Sequence, residues 1–152
     1  MTLELKVPPL VVGLVMAGIM WLSDWVLPGW HIELPARRLV AGCVAVAGTL
    51  MLLAGVLSFR RAKTTVNPMK PSSSSSLVMT GIYAWTRNPM YVGFFLFMLA
   101  WGIVLSNAAA FVILPLFVLY MNRFQIGPEE RALAAIFGDQ YARYVGRVRR
   151  WL

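Results

Sequence analysis

Four apolar stretches, separated by polar segments, dominate the chain. They run over about residues 7–27, 36–59, 90–106 and 108–126. A membrane-spanning helix needs about 17–25 predominantly apolar residues, and each stretch meets this length. The pattern therefore predicts an all-α integral membrane protein with about four transmembrane helices in a single membrane domain.

Small residues and helix breakers refine this picture. In the second stretch, small residues share one helical face, where they let membrane helices approach closely. They are Ala41, Ala45, Gly48 and Gly55. Only Asn107 separates the third stretch from the fourth, which predicts a tight antiparallel hairpin. Pro115 predicts a kink in the fourth helix, because proline lacks the N–H that a helix needs.

The remaining segments are polar or amphipathic. Residues 60–89 contain basic residues and a run of five serines, which is typical of a loop. Residues 128–151 place apolar side chains at three- and four-residue spacing, which predicts an amphipathic helix that Gly138 interrupts. A basic amphipathic helix beside a span is typical of a segment that lies along the membrane surface.

Composition and charge agree with a membrane environment. Hydrophobic residues make up 59% of the 152 residues and charged residues 13%, whereas soluble proteins average about 25% charged. A net charge of +8 would favour nucleic acid in a soluble protein. Here the basic residues adjoin membrane segments, so we expect contacts with anionic lipid head groups and no nucleic-acid partner.

The distribution of basic residues predicts an orientation. Of 14 Lys and Arg, only Arg37 and Arg38 lie near the link between the first and second stretches. The other 12 lie in the N-terminus, in residues 60–89, or between the end of the fourth stretch and the C-terminus. Basic residues near span ends favour the cytoplasmic side. We therefore expect both termini and residues 60–89 in the cytoplasm, which in a bacterium means the inner (plasma) membrane.

The single cysteine and the single histidine argue against a metal enzyme. Cys43 lies in an apolar run and cannot form an internal disulfide, and His31 has no partner at ligand spacing. We therefore predict no metal site.

Two clusters carry residues suited to chemistry. Residues 80–93 combine aromatic side chains with Arg87, two glycines and Pro89. This cluster is either an interfacial aromatic belt with a snorkelling arginine or a helix start that binds an anionic group. The second cluster, Gly127-Pro128-Glu129-Glu130, suits a helix start on dipole grounds. It also places two acids on the membrane face that holds the serine-containing segment.

The order of residues in both clusters resembles the isoprenylcysteine carboxyl methyltransferase family and its bacterial relatives. The shared patterns are T-G-x-Y-x-W-x-R-N/H-P-x-Y-x-G and E-E-x-x-L-x-x-x-F-G-x-x-Y-x-x-Y-x-x-x-V, and the resemblance covers about residues 64–152. Phospholipid N-methyltransferases are similar in outline. The resemblance implies a membrane enzyme that takes S-adenosyl-L-methionine from the cytosol and a lipid-like or small hydrophobic acceptor from the bilayer.

The same resemblance implies a set of site residues. Glu129 would meet the cofactor, and Arg87 would join Glu129 in the catalytic site. The cofactor-binding residues would be Ser75, Ser76, Leu77, Val78, Tyr83, Asn88, Pro89, Met90, Tyr91, Glu129 and Glu130.

Two positions depart from the prenylcysteine enzymes. Asn88 stands where the eukaryotic members have histidine, and Gln125 stands where they have an arginine suited to the carboxylate of the substrate. Gln125 and the nearby Arg123 are the candidate substrate-binding residues. Because Gln125 carries no charge, we expect a neutral or amine acceptor in preference to prenylcysteine.

Two other functional classes stay open. One is a sterol-reductase-like enzyme that binds NADPH, since the C-terminal halves of such enzymes are similar. The other is a non-enzymatic membrane protein with interfacial aromatics and a basic tail. The oligomeric state is open as well.

Overall fold

Six α-helices form the part of the chain that the structure describes. In the computed structural model this part comprises residues 4–62 and 76–152. The helices are α1 (Pro9–Val26), α2 (Arg37–Arg61), α3 (Pro89–Leu105), α4 (Ala108–Phe111), α5 (Ile113–Tyr120) and α6 (Gly127–Val145). Short 3₁₀ turns occupy Pro28–Trp30 and Gly81–Ala84, and a π-helical turn, Met121–Ile126, joins α5 to α6. These residues contain no β-strand.

Three of the helical runs are long and apolar enough to cross a membrane. They are Pro9–Val26, Arg37–Arg61 and the run Ala108–Val145, which contains α4, α5, the π-helical turn and α6. The remaining apolar helix, α3, has 17 residues and spans about 26 Å at 1.5 Å per residue. Leucines on α1, α2 and α5 point outward, as lipid-facing side chains do. The prediction of an all-α integral membrane protein is confirmed.

Helices α2 and α3 pack against each other in antiparallel fashion through their small residues. A Cβ built on Gly48 would lie 3.1 Å from the carbonyl oxygen of Gly93, and one on Gly93 would lie 3.0 Å from that of Gly48. At the other end of the interface, a Cβ built on Gly55 would lie 2.8 Å from Cγ of Met90. Ala41, Gly48 and Gly55 are buried on this face, so the predicted packing role of the small residues is confirmed.

The turn between α3 and α4 closes the far end of the bundle. Ser106 adopts a left-handed conformation, and the buried Asn107 caps α4 by accepting a hydrogen bond from the Ala109 N–H. The Asn107 amide also donates to the carbonyl of Leu27 at the end of α1, at 2.9 Å. The predicted tight hairpin is present, and its single asparagine ties three helices together.

The helix formed by the fourth apolar stretch is interrupted before it reaches Pro115. Helix α4 ends at Phe111, and Val112 separates it from α5. Pro115 has no N–H to donate to the Phe111 carbonyl four residues earlier, so the helical ladder fails there. The predicted disturbance is therefore real, but it lies one turn before Pro115.

The sequence pattern placed a boundary between a span that ends near 126 and a surface helix that starts at 128. In the structure the helix continues through this point, from Ile113 to Val145. Pro128 lacks the N–H that would reach the Phe124 carbonyl. That carbonyl instead accepts the N–H of Leu5, at 3.0 Å, so the N-terminal segment satisfies the acceptor that the proline leaves open.

Gly138 bends the C-terminal part of the chain back toward α3. Its backbone angles, φ 46° and ψ −123°, are non-helical and lie in a region that residues with a Cβ rarely adopt. The predicted interruption at Gly138 is confirmed. Helix α6 ends at Val145 and not near 151, and Arg149 forms an isolated bridge with Thr86. The chain end therefore lies beside the start of α3.

Candidate functional site

The two sequence clusters meet around one carboxylate. The Tyr91 hydroxyl on α3 donates a hydrogen bond to Oε1 of Glu129 on α6. The Gln125 amide, in the π-helical turn, donates to the same oxygen at 2.7 Å. Tyr91 and Gln125 are buried, and Glu129 is partly buried. Helix α3 and the helix that carries both Gln125 and Glu129, which are distant in sequence, therefore meet at this carboxylate.

The continuous helix explains how Gln125 reaches Glu129. The two residues are four positions apart, so they lie on the same helical face. The turn that contains Gln125 is π-helical, and its wider ladder is visible where the Gly127 N–H bonds to the Asn122 carbonyl. Such turns are often found at functional sites. A Cβ on Gly127 would lie 3.0 Å from that same carbonyl oxygen, which favours glycine here.

Glu129 has no cationic neighbour in the described part of the chain. Both of its donors are neutral, both reach Oε1, and no described residue donates to Oε2. None of the ion pairs formed by the described residues includes Glu129. When ionised, this carboxylate is therefore not balanced by an ion pair with a described lysine or arginine.

Glu130, in contrast, is fully paired. Arg87 Nη2 lies 2.8 Å from its Oε1, and Arg150 donates to both of its oxygens. The side chains of Arg87 and Glu130 are only 10% and 19% exposed. The two adjacent acids thus have different surroundings, and only Glu129 keeps an unbalanced charge.

Arg87 holds the C-terminal segment in place. Its Nη1 donates to the main-chain carbonyls of Val145 and Val148, at 3.3 and 3.2 Å, and its backbone N–H donates to Arg149 at 3.0 Å. The Asn88 side chain adds a bond to the Arg150 carbonyl at 2.8 Å. Nε of Arg87 is buried and has no hydrogen-bond partner among the described residues.

The segment before α3 supplies apolar and aromatic surface. Ser75 lies outside the described residues, whereas the Ser76 hydroxyl donates to the Ala62 carbonyl at 3.2 Å. Val78 and Tyr83 are buried, and Leu77 is partly buried.

Tyr83 is held from two sides. The rings of Phe59 and Tyr83 pack edge to face, with their centroids 5.3 Å apart. The Tyr144 hydroxyl donates a hydrogen bond to the main-chain carbonyl of Tyr83 at 2.7 Å. Burial, followed by the nearby Tyr144 and Glu129, raises the pKa of the Tyr83 phenol above its ordinary value, so the phenol stays protonated.

Two further candidate positions belong to the start of α3. Pro89 is the first residue of this helix and is buried, as its missing N–H permits there. Met90 is directed at Gly55 of α2. These residues fix the entry of α3, and through it the position of Tyr91.

Arg123 lies apart from the other candidates. Its side chain is 67% exposed, stacks over the Phe124 ring and faces Glu4 at 3.5 Å. Glu4 also pairs with Arg131 at 2.6 Å. The structure therefore brings Gln125 to Glu129 but directs Arg123 toward the N-terminal segment.

Some residues of the site were not identified from the sequence. Arg150 was assigned to the basic tail, yet it pairs with Glu130, and Tyr144 was assigned to an apolar face, yet it bonds to Tyr83. The only available signal was that Tyr144 belongs to the second motif. The described residues contain no group of three or more His, Cys, Asp or Glu that could hold a metal ion.

Fold and site together define an integral membrane protein with a carboxylate-centred polar site where two apolar helices meet. The sequence matches the phospholipid methyltransferase family over residues 36–140. This match covers more than half of the chain, and the protein therefore belongs to this family of membrane methyltransferases. Membership implies a methyl donor.

Individual relatives agree with this assignment. The protein-S-isoprenylcysteine O-methyltransferase of Rattus norvegicus is 32% identical over 112 residues, which are 69% of this chain and 39% of the rat protein. That of Schizosaccharomyces pombe is 40% identical over 82 residues, 52% of this chain and 34% of the yeast protein. An uncharacterized Haemophilus influenzae protein is 46% identical over its full 63 residues, 41% of this chain. The chain thus spans about two fifths or less of the two named enzymes.

Proposed function

We propose that the protein transfers a methyl group from S-adenosyl-L-methionine to a lipid-like or small hydrophobic acceptor at the cytoplasmic face of the membrane. The observation that carries this proposal is the unbalanced carboxylate of Glu129, held by Tyr91 and Gln125. A partly buried anion without a cationic partner is costly, and a cationic ligand removes that cost. Family membership supplies the reaction class.

The residues of the site fit the proposed cofactor. S-adenosylmethionine carries an ammonium and a sulfonium, and the Oε2 atom of Glu129 can accept from the ammonium because both described donors use Oε1. The adenine ring needs apolar and aromatic walls, which Leu77 and Tyr83 provide. Glu130 is already paired with two arginines, so Glu129 is the acid available to a cation.

The chemistry asks little of the protein beyond positioning. When bound, the sulfonium supplies a methyl group that is already activated toward an in-line attack. Tyr91 and Gln125 fix the carboxylate of Glu129, which would hold the donor in one orientation. Arg87, Asn88 and Arg150 fix the C-terminal segment beside the start of α3 and would help to exclude water. No covalent nucleophile is required.

The acceptor is proposed to be neutral or an amine. Gln125 is 2% exposed and uses its amide to hold Glu129, and Arg123 faces Glu4 instead of the site. Among the described residues, an acceptor carboxylate entering this environment would find no cation to pair with and would meet the carboxylate of Glu129. This proposal separates the chain from the isoprenylcysteine enzymes that it resembles.

Calorimetric titration of the detergent-purified protein tests the cofactor assignment. We expect binding of S-adenosylhomocysteine, which keeps the ammonium group, and no binding of NADPH. Glu129→Gln keeps the shape but removes the charge, so it is expected to weaken binding by about 1.5–3 kcal/mol, the worth of a hydrogen bond to a charged group. Asp139→Asn is the matched control, since it removes an exposed acid from the same helix.

The variants also distinguish the two acids. Glu130→Gln breaks an ion pair with Arg87, so it is expected to lower the thermal unfolding temperature more than the affinity for S-adenosylhomocysteine. Binding of NADPH alone would contradict the proposal in favour of a reductase. A folded protein that binds neither compound would exclude both enzymes.

A further inference from the structure

A basic cavity lies between the segment that precedes α3 and the end of α6. Its volume is about 470 Å³. Its walls include Met79 on one side and Gln140, Arg143, Tyr144, Arg147 and Val148 on the other. None of these residues belongs to the carboxylate cluster of Tyr91, Gln125 and Glu129, and Met79 adjoins the proposed cofactor residue Val78.

The charge of this cavity is positive and unbalanced. Arg143 and Arg147 are four positions apart and both are exposed. Neither forms an ion pair with a described carboxylate, and Asp139, four positions before Arg143, pairs with neither. No acidic residue lines the cavity. Two guanidinium groups on one cavity suit a phosphate, which they can bind through paired N–H donors.

Gln140 adds a polar residue to the same walls, and Met79 and Val148 add apolar residues. The ligand that fits therefore combines an anionic group with an apolar part.

The surroundings of the cavity point to the membrane interface. Trp85, next to the lining residue Ala84, is 78% exposed, and Val145, between Tyr144 and Arg147, is 39% exposed. An exposed tryptophan beside membrane helices is typical of the layer where lipid head groups lie. Arg143 lies in the last turn of the amphipathic helix α6, and Arg147 lies in the turn that follows it. Basic amphipathic segments of this kind bind anionic lipid surfaces.

We propose that this cavity binds the phosphate of an anionic phospholipid, with Arg143 and Arg147 as the ligating residues. The assignment goes beyond methyl transfer, because the cavity shares no residue with the Glu129 cluster. A lipid held here would anchor the C-terminal part of α6 to the membrane surface. Because the Tyr144 hydroxyl bonds to the Tyr83 carbonyl, that anchor would also steady the segment before α3.

Native mass spectrometry of the full chain in detergent tests the proposal by lipid binding alone. The probes are phosphatidylglycerol and phosphatidylcholine with matched acyl chains. We expect phosphatidylglycerol to bind more tightly than phosphatidylcholine. The double variant Arg143→Gln/Arg147→Gln is expected to lose about 10- to 30-fold in affinity for phosphatidylglycerol, because it removes two arginine contacts to the lipid phosphate. The matched control is Arg37→Gln/Arg38→Gln, which removes the same charge at the start of α2.

Equal losses of affinity for phosphatidylglycerol in both double variants would overturn the proposal, because the lower net charge alone would then explain the weaker binding. Displacement of the lipid by millimolar inorganic phosphate would overturn the lipid assignment and leave a site for a soluble phosphate. If the glutamine variant does not fold, the variant Arg143→Lys/Arg147→Lys keeps both charges but loses the guanidinium forks. A lower affinity for phosphatidylglycerol in this folded protein would support the site, and an unchanged affinity would contradict specific ligation.

Discussion

At the scale of single residues, two adjacent acids show how environment divides roles. Glu129 accepts hydrogen bonds from two neutral donors, whereas Glu130 forms ion pairs with Arg87 and Arg150. A paired charge holds structure together, and an unbalanced one favours a cationic ligand. In the sequence both acids suit a helix start, and only the family resemblance singles out Glu129. The structure adds the distant partners that distinguish them.

The acceptor proposal makes a prediction at the same scale. The unmutated protein is expected to methylate neutral or amine lipids. We expect poor turnover of N-acetyl-farnesylcysteine, because no described cation at the Glu129 cluster faces the carboxylate of that acceptor. Transfer of radiolabelled methyl groups to each acceptor measures this directly.

Gln125→Arg places a guanidinium beside Oε1 of Glu129. We therefore expect an ion pair between the two side chains, weaker binding of S-adenosylhomocysteine and no gain in turnover of the farnesylcysteine analogue. Asp139→Asn again serves as the control, because it changes one charge away from the site. Efficient turnover of the analogue by the unmutated protein would refute the proposed acceptor class and direct attention to Arg123.

At the scale of secondary structure, the most informative element is the helix that starts at Ile113, continues through the π-helical turn and bends at Gly138 before it ends at Val145. A π-helical turn and a proline lie in succession within it, and either would normally weaken the ladder. The Leu5 N–H donates to the Phe124 carbonyl, which receives no helical hydrogen bond because Pro128 has no N–H. Glu4 pairs with Arg131 on the same helix. The N-terminal segment therefore supports the turn that carries Gln125.

The interface between α2 and α3 makes a prediction about stability. Gly48→Ala places a Cβ 3.1 Å from the Gly93 carbonyl oxygen and 3.2 Å from the Leu96 Cβ, so α3 has to shift by a few tenths of an ångström. Such overpacking costs about 1–3 kcal/mol of folding free energy. Gly42→Ala is the matched control on the same helix, because its Cβ would have no neighbour within 4 Å.

Thermal unfolding in detergent measures the difference between the two variants. We expect a lower midpoint for Gly48→Ala, and an equal or higher one for Gly42→Ala, since alanine is the better helix former. Similar midpoints for both variants would show that the close approach of the helices contributes little.

At the scale of the whole molecule, apolar helices place the Tyr91–Gln125–Glu129 cluster and the Asn107 turn at opposite ends of α3. If the helices cross the membrane, the cofactor site and this turn face different compartments. The twelve basic residues outside the Arg37–Arg38 pair favour the cytoplasm for the end that holds the site.

Single-cysteine labelling tests this orientation. In a background in which Cys43 is replaced by alanine, cysteines at Glu33 and Asp139 are expected to react from opposite sides of the membrane, since both positions are exposed. An impermeant thiol reagent added to intact cells should modify the cysteine at position 33 and spare that at 139. Reaction of both would refute the orientation.

The sequence predicted those features that depend on local pattern. Apolar length gave the helices, small-residue spacing gave the α2–α3 interface, and Gly138 marked the bend, because each is encoded within a few turns of chain. It could not predict that Leu5 would complete the ladder at Pro128, or that Arg123 would face Glu4. Those contacts join residues more than a hundred positions apart, and no periodicity relates them.

The attachment of the C-terminal segment determines which changes it tolerates. Arg87 and Asn88 bind main-chain carbonyls of Val145, Val148, Arg149 and Arg150. Every residue type offers the same carbonyl, so side chains at 148 and 149 can vary without loss of these bonds. Inserting or deleting one residue between 146 and 148 would shift the later acceptors out of reach and withdraw the Arg150 guanidinium from Glu130. Length is therefore more constrained than identity in this segment.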